Sequence, residues 1–512
     1  MNRLLTLGML LACAVRSFGQ DAAQMPNRCA SRGGIEKLSA ADWNGWGADV
    51  SNTRFQAERV AASQLKLKWA FGLPGAKAVS GQPSVAAGRV FVSADNGYTY
   101  SLDATSGCVY WSFHTDAAVR SSATIAAISP GRFAAYFGDA KTNVYAVDAA
   151  TGELIWKVHV EEHPSARITG APKFYGNRLF VPVASGEEGA GGNSNYACCT
   201  FRGSVVALNA ASGSQIWKTY MIPDEPKPVK KNANGVQRWA PAGAGVWNSP
   251  TIDEKRRALY VGTGDAYAEP AAKTTDAIVA LDLDTGKILW SVQDTENDVW
   301  LAVCGPNNHP ENCPDELGPD HDFGSPPILR TLADGRSILV AGQKSGNVWA
   351  HDPDNKGAVL WRTPLVANTK EFGGKIVWGG TADNEYAYFG LGPGGIGAVR
   401  LKDGEKKWFK PLVPVDGRST HPGQDGPLTG APGVVFSGGW DGIVRALSTT
   451  DGNVMWEFDT VRDFETVNGV NARGGSMGAA GPVVAGSMLF VPSGYVGVRN
   501  GIPGNVLLAF AP

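Results

Sequence analysis

Apolar and polar positions alternate along this chain in one recurring phrase. An apolar pair leads into Leu-Asp or a near equivalent, a Thr-Gly or Asp-Gly step follows, and a second apolar run ends in tryptophan. The cleanest copy is Val279-Ala280-Leu281-Asp282, then Gly286, then Trp290. Ser101-Leu102-Asp103 with Gly107 and Trp111 repeats it, as do Val147-Asp148 with Gly152 and Trp156, and Leu208-Asn209 with Gly213 and Trp217. Later copies end at Trp361, Trp408 and Trp456. Period-two alternation broken by an Asp–Gly segment predicts a β-hairpin with one face of each strand against a neighbouring sheet. The tryptophan brings a ring large enough to fill the space between sheets. Another strand pair precedes most copies, as in Arg89-Val90-Phe91-Val92 followed by Asn96-Gly97. Each unit thus supplies about four strands, and tandem units of ~40–50 residues with that content predict propeller blades.

Seven hairpins carry the full phrase. Trp69, in Leu65-Lys66-Leu67-Lys68-Trp69, has no strand before it, and Asn505-Val506-Leu507-Leu508-Ala509-Phe510 is a strand with no tryptophan strand after it. Pairing the two completes an eighth blade and removes the free sheet edges that invite aggregation. The expected fold is therefore all-β, an eight-bladed propeller over residues 65–512, with residues 20–64 a lead-in segment against the disc. Intervals between successive tryptophans are 42, 45, 61, 73, 71, 47 and 48 residues, by subtraction of the positions above. The blades ending at Trp217, Trp290 and Trp361 carry the extra loop, and insertions in consecutive blades point to function on one side of the disc. The most polar insertion, from Pro223 to Gly235, is expected to be an exposed loop.

Composition agrees with many short strands joined by tight turns. The 512 residues are 43% hydrophobic and 18% charged, with 65 Gly, 31 Pro and 16 Trp, which excludes a disordered chain. A net charge of −2 with no long basic run gives no electrostatic footprint for nucleic acid. Residues 1–19 combine a basic head, an apolar run from Leu4 to Val15 and small residues to Gly19, the form of a secretory signal peptide. That run is too short to span a bilayer, and no later one is long enough. Leu10-Leu11-Ala12-Cys13 offers a lipoprotein anchor as the alternative. Export predicts a periplasmic or secreted protein whose remaining cysteines pair: Cys29, Cys108, Cys198, Cys199, Cys304 and Cys313. Cys304 and Cys313 bracket a short Pro/Asn loop and form the most credible pair. No Cys-x-x-Cys-His occurs, so no covalent c-type haem is expected in this sequence. His159, His163, His309, His321, His351 and His421 show no metal-ligand spacing.

Certain phrases go beyond the repeat: Trp43-Asn44-Gly45-Trp46-Gly47 with Asn52-Thr53-Arg54-Phe55, Cys198-Cys199-Thr200-Phe201-Arg202-Gly203-Ser204, Trp239-Ala240-Pro241-Ala242-Gly243, and Pro503-Gly504-Asn505-Val506-Leu507-Leu508. With them the chain resembles the pyrroloquinoline-quinone (PQQ) dehydrogenases, and within these the polyvinyl-alcohol dehydrogenase group. The resemblance implies a quinone in the axial funnel beside a calcium ion that acts as Lewis acid. It implies an Asp that takes the alcohol proton while hydride leaves for the quinone, and a separate cytochrome c that accepts the electrons. An adjacent cysteine pair occurs in many such enzymes, generally in a different blade. Cys198-Cys199 here matches the polyvinyl-alcohol group, although separate partners, Cys29 and Cys108 included, are left open.

Residue by residue, the resemblance implies Trp247 as the flat floor under the quinone, against the alternative of an ordinary packing tryptophan. Glu188 and Asp265 become calcium ligands, the latter where relatives often have Asn; the plain reading of both is turn or loop acid. Relatives carry Trp-Asp after a sequence like Asn297-Asp298-Val299-Trp300, but Leu301 stands there. The Cys304–Cys313 loop then reads as an insertion that displaces the acid to Asp320, with Asp322 in reserve, Asp298 third, and His321 between the first two; Asp320 is also a candidate metal ligand. Lys344 matches the cation beside the quinone oxygens. Arg120, Thr169 and Ser185 would meet the cofactor's carboxylates, and Trp378 and Trp440 would line the funnel. Two competing readings share the repeat: a non-enzymatic envelope-assembly scaffold, and a quinoprotein acting on sugars or aldehydes. The scaffold would lack the axial acids and Trp247.

Overall fold

A computed structural model describes residues 21–31, 33–305, 307–366, 375–413, 415, 418, 423–497 and 501–512. The predicted leader with Cys13, and His421, lie outside these residues. Eight antiparallel sheets follow one another along the chain. Blade 1 runs Ser84–Ala86, Arg89–Ser93, Tyr98–Asp103 and Val109–His114, each strand pairing with the next. Blades 2 to 7 repeat this order, with fourth strands Leu154–His159, Gln215–Tyr220, Ile288–Gln293, Ala358–Pro364, Lys406–Lys410 and Val454–Asp459. First strands of neighbouring blades touch each other, which places them innermost. Fourth strands are the outer ones and are half exposed, whereas second strands such as Val434–Gly438 are buried throughout. Blade 8 comprises Val483–Ala485, Met488–Ser493, Val506–Ala511 and, as its fourth strand, Lys66–Gly72. Lys66 pairs with Ala511 and Gly72 with Val506, so the first strand of the chain closes the ring on the last.

The repeated tryptophan is the fastener between blades. Each ring lies on the turn glycine of the following blade: Trp69 on Gly107, Trp111 on Gly152, Trp156 on Gly213, Trp217 on Gly286, Trp290 on Gly357, Trp361 on Gly404 and Trp408 on Gly452. Those glycines hold φ between +70° and +77°, a region costly for any residue with a Cβ. At Gly152 a Cβ would sit 2.8 Å from the Trp111 ring, so the turn and the packing both require glycine. In several blades the indole N–H then donates to a carbonyl of the next blade, as from Trp111 to Ala149 and from Trp361 to Leu401, both at 3.0 Å, whereas that of Trp217 is buried without a partner. Trp456 faces the seam, where no glycine is supplied. It packs edge-on against Phe510 and donates to the Leu65 carbonyl.

The lead-in segment runs along the inner strands rather than over the rim. Trp43 pairs with Val85 of blade 1 and Phe55 with Gly430 of blade 7. Between them the backbone carbonyls of Val50, Ser51 and Thr53 accept from Ile252, Leu329 and Ala382. Innermost strands have a free edge facing the axis, and this segment satisfies part of it. Asn52 donates to Ser249, Pro250 and Thr251. Arg54, wholly buried, donates to the Leu428 and Trp46 carbonyls and to Gln82, each at 2.6 Å, and to Thr429 at 2.9 Å. The channel is thereby stoppered and becomes a funnel.

The insertions depart from expectation in one place. Part of the Pro223–Gly235 stretch is ordered as a strand: Lys227–Lys231 pairs with Gln237–Ala240 as a β-hairpin, and Lys227–Lys231 is exposed along its whole length, as expected. The alternation in Lys227-Pro228-Val229-Lys230-Lys231 is hidden by its charge. The insertions before and after Trp217 and Trp290 leave second strands or lead from one blade to the next. In an antiparallel sheet those connections share one end, so they build a single face.

Candidate active site

Asp265 lies just beyond the second strand of blade 4, Ala258–Gly262, and Asp320 and Asp322 lie in the connection to blade 5. One carboxylate oxygen from each falls within 4.8 Å of the others, and all three residues are buried. Asp322 accepts the Asp265 backbone N–H at 2.8 Å, which ties the two loops together. Lys344, in the turn after Ser337–Gly342, reaches Asp320 at 2.5 Å and Asp322 at 2.9 Å. Lys375 takes the other oxygen of Asp320 at 2.5 Å. Burial alone would raise the Asp320 carboxyl, but the two ammonium groups outweigh it and hold it below the ordinary carboxylate range. Asp265 has no such partner. Burial, then Asp322 and Glu188, push it well above that range, and its Oδ2 is buried without a hydrogen bond.

Glu188 belongs to the one helical turn, Glu187–Ala190, in the blade 3 insertion. Burial pushes its carboxyl up to about 7, Lys344 opposing and Asp322 and Asp320 assisting. Its neighbour Glu187 turns away and accepts from the backbone N–H of Thr200 and Phe201 and from the Tyr196 hydroxyl. The pair therefore divides: Glu187 ties down the loop and Glu188 faces the aspartates. Asp298 is likewise a fastener, accepting from the backbone N–H of Asp320 at 3.1 Å and His321 at 2.7 Å. Burial lowers the His321 ring from its ordinary value.

Trp247 sits beside this cluster, with Lys344 Nζ 5.4 Å from its ring centroid. Gly324 lies flat against the indole, where a Cβ would approach to 1.9 Å. Asn248 secures the arrangement by donating to the carbonyls of Gly262 and Phe323, both at 2.8 Å. Trp378 meets Trp247 edge to face at 5.3 Å, and Arg120 stacks on Trp378 at 4.2 Å. These residues, with Trp46, Gln82, Ser122 and Thr169, line the axial cavity. Ser185 and Trp440, expected there, are not among its lining residues. Ser185 accepts the Glu187 N–H at the start of the helical turn. Trp440 is one layer out, edge-on to Tyr495 and donating to Asp425 at 2.6 Å.

Several participants gave no signal in the sequence. Lys375, Asp276 and Tyr267 come from loops without a distinguishing pattern. Asp276 is buried with neither carboxylate oxygen hydrogen-bonded, and burial raises it well above the usual range. Arg167 packs on Gly186 and depresses Arg120, after the larger effect of Arg120's own burial. All three cysteine pairs close: Cys29–Cys108, Cys198–Cys199 and Cys304–Cys313.

The donors suit a flat, multiply charged cofactor with a hard cation. Thr169 Oγ1, Ser122 Oγ and Asp265 Oδ2 are buried and lack hydrogen-bond partners, and such groups in a folded protein call for an occupant. With all four acids ionised, Glu188, Asp265, Asp320 and Asp322 outnumber Lys344 and Lys375 by two charges, which a divalent ion balances. Space is the one demand on movement. The axial cavity is about 20 Å³, roughly a single water, so a tricyclic plate on Trp247 requires Trp378 and Arg120 to part.

Comparison with known proteins agrees with this chemistry. Residues 43–302 match the family model described as the PQQ glucose/ethanol/alcohol dehydrogenase β-propeller domain. Residues 182–435 also match the model of the outer-membrane assembly factor BamB. A polyvinylalcohol dehydrogenase from Pseudomonas sp is 41% identical over 96% of this chain and 81% of its own length. One from Sphingopyxis sp. is 37% identical over 94% and 78%. A quinohemoprotein alcohol dehydrogenase from Pseudomonas putida superposes with a TM-score of 0.69 at 17% identity, covering 92% of this chain and 80% of that one. The chain belongs to the PQQ-dependent alcohol dehydrogenases, a family that uses the quinone together with a calcium ion.

Proposed function

We propose that this quinoprotein oxidises secondary alcohols, polyvinyl alcohol and its oligomers among them, with Asp320 as the base. The observation that carries this is the meeting of Asp265, Asp320, Asp322 and Lys344 beside the ring of Trp247. When bound, the quinone accepts a hydride and calcium polarises it. Asp320, kept ionised by Lys344 and Lys375, takes the hydroxyl proton as the carbinol carbon becomes a ketone. Glu188, Asp265 and Asp322 would hold the metal, with Asp320 at its edge. Trp247 would support the plate, while Arg120, Thr169 and Ser122 receive its carboxylates. Lys344 would offer its ammonium group to the quinone oxygens and stabilise negative charge there.

A leader over residues 1–19 and three cysteine pairs support an exported, periplasmic enzyme. A separate cytochrome c is the proposed electron acceptor. The match to an outer-membrane assembly model keeps a scaffold role as the second reading. Function lives in the site rather than in the propeller, and the axial acids favour the enzyme.

The test is reconstitution of the purified chain with the quinone and Ca²⁺, followed by dye-linked oxidation of secondary alcohols, primary alcohols, aldehydes and sugars. Preference for secondary alcohols, lost in Asp320→Asn with the quinone still bound, is the expected result. No quinone bound and no dye reduced would leave the scaffold.

A further inference from the structure

Apart from the axial funnel, the described residues enclose a second, larger cavity at the edge of blade 3. It measures about 220 Å³ and is lined by Glu161, His163, Thr200, Phe201, Arg202, Tyr220, Glu225, Pro226 and Trp239. It shares no lining residue with the axial cavity. Its walls come from the blade 2 to blade 3 connection, the blade 3 insertion and the exposed hairpin that ends at Ala240, all at the same end of the disc as the acid cluster.

The walls are already fixed. Arg202 stacks on Tyr220 at 4.0 Å and donates to the Ile222 and Pro223 carbonyls at 3.3 and 3.1 Å. Glu161 is paired to Lys218 at 2.7 Å. His163 lies 3.0 Å from the Thr200 hydroxyl and edge-on to Phe201. Tyr220, Phe201 and Trp239 offer apolar surface, while Thr200, His163, Glu161 and Arg202 offer hydrogen-bonding atoms between them. Ring faces suit a methylene backbone, and interleaved donors and acceptors suit hydroxyls repeated along it. The cavity also adjoins the reaction site. Phe201 stacks on Tyr267 at 6.3 Å, and Tyr267 lies close enough to Glu188 and Asp265 for both to raise its hydroxyl pKa after the larger effect of burial.

We propose that this cavity is a second binding site for a polyhydroxylated chain, holding one stretch of the substrate while another enters the funnel. The proposal rests on the polymer reading above. Affinity then comes from two linked contacts, so long chains bind better than short alcohols without any change in the chemistry. Trp239 and Glu225 are the residues to alter, since Trp239 stands on the exposed hairpin and Glu225 is exposed.

The experiment uses the full chain in two forms. On the quinone- and Ca²⁺-loaded protein, Trp239→Ala and Glu225→Ala are expected to raise KM for polyvinyl alcohol ~5- to 10-fold at unchanged kcat. Kinetics on 2-butanol should not move, and Trp239→Phe should restore most of the loss. On the quinone-free protein, calorimetry with a polyvinyl-alcohol oligomer should show binding that Trp239→Ala weakens ~10-fold, about 1.4 kcal/mol, with a maltooligosaccharide as the comparison ligand. Equal changes on polymer and 2-butanol would overturn the proposal, as would oligomer affinity indifferent to both substitutions, or tighter binding of the sugar. If the loaded chain oxidises no alcohol, the polymer-oxidation reading fails by itself, and the calorimetric arm still decides whether the cavity takes the chain.

Discussion

Asp320 is held by two ammonium groups, and the second of them sets its working range. Removing Lys375 while keeping Lys344 takes away one of the two charges that hold the Asp320 carboxyl down. Lys375→Met should therefore shift the acid limb of kcat/KM to higher pH, because the base must be ionised to act. The loss should deepen as pH falls, whereas Lys375→Arg should restore the limb. The other acids predict a second pH effect. Asp265 and Asp276 are raised well above their ordinary range, Glu188 to about 7 and Asp298 to about 6, in each case first by burial. Between their unfolded values near pH 4 and these folded values, the native state binds more protons than the unfolded one. Stability of the metal-free protein must then fall as pH rises from about 5 to 8. Thermal unfolding at fixed scan rate should show this fall, Glu188→Gln should flatten part of it, and Ca²⁺ should offset it. Asp320 has the opposite sign, but its loss comes only as pH drops through its depressed value, below this window. The clustered acids were only partly legible in the chain. Asp265 and Asp320 stand in phrases with recognisable neighbours, but Asp276 reads as one more turn acid and Lys375 as one more surface lysine. Only the meeting of loops from different blades gives them a role.

At the scale of the blade, the tryptophan and the glycine of the following turn form one unit split between neighbours. Two glycines of blade 2 separate the contributions. Gly131 and Gly152 both hold left-handed φ, at +73° and +77°, but nothing lies within 4 Å of a Cβ at Gly131. Gly131→Ala should cost only the backbone strain, about 1–2 kcal/mol. Gly152→Ala adds collision with the Trp111 ring and should cost a further 1–3 kcal/mol or so, visible as a larger drop in melting temperature. This pairing is also why the blades were legible: Asp, Gly and Trp each answer a local demand that sequence spacing records. The hairpin at Lys227–Ala240 was not legible, because lysines on both faces of Lys227–Lys231 erase the alternation that marks a half-buried strand. Ser185 and Trp440 came from the resemblance alone, and no local pattern records that Ser185 accepts the Glu187 N–H or that Trp440 packs on Tyr495.

Across the whole molecule, the lead-in segment and the seam hold the ring shut. Arg54 donates four hydrogen bonds to groups of the lead-in, blade 1 and blade 7 with no acid to balance it. Arg54→Met would leave the Leu428 carbonyl buried and unanswered, at about 1–3 kcal/mol, while Gln82 still donates to Trp46. We expect a fall in melting temperature and, because Trp46 and Gln82 line the axial cavity, weaker quinone binding measured by quenching of tryptophan fluorescence. The seam has a kinetic consequence. Lys66 meets Ala511 only after every intervening residue has been made, and closing a loop of that length costs about 2 kcal/mol more entropy than closing a single blade. Pulse-labelled hydrogen exchange during refolding should find the amides of Leu67 to Gly72 among the last to gain protection. A nascent chain of this kind stays an open array with one sticky flank until its last strand has been made.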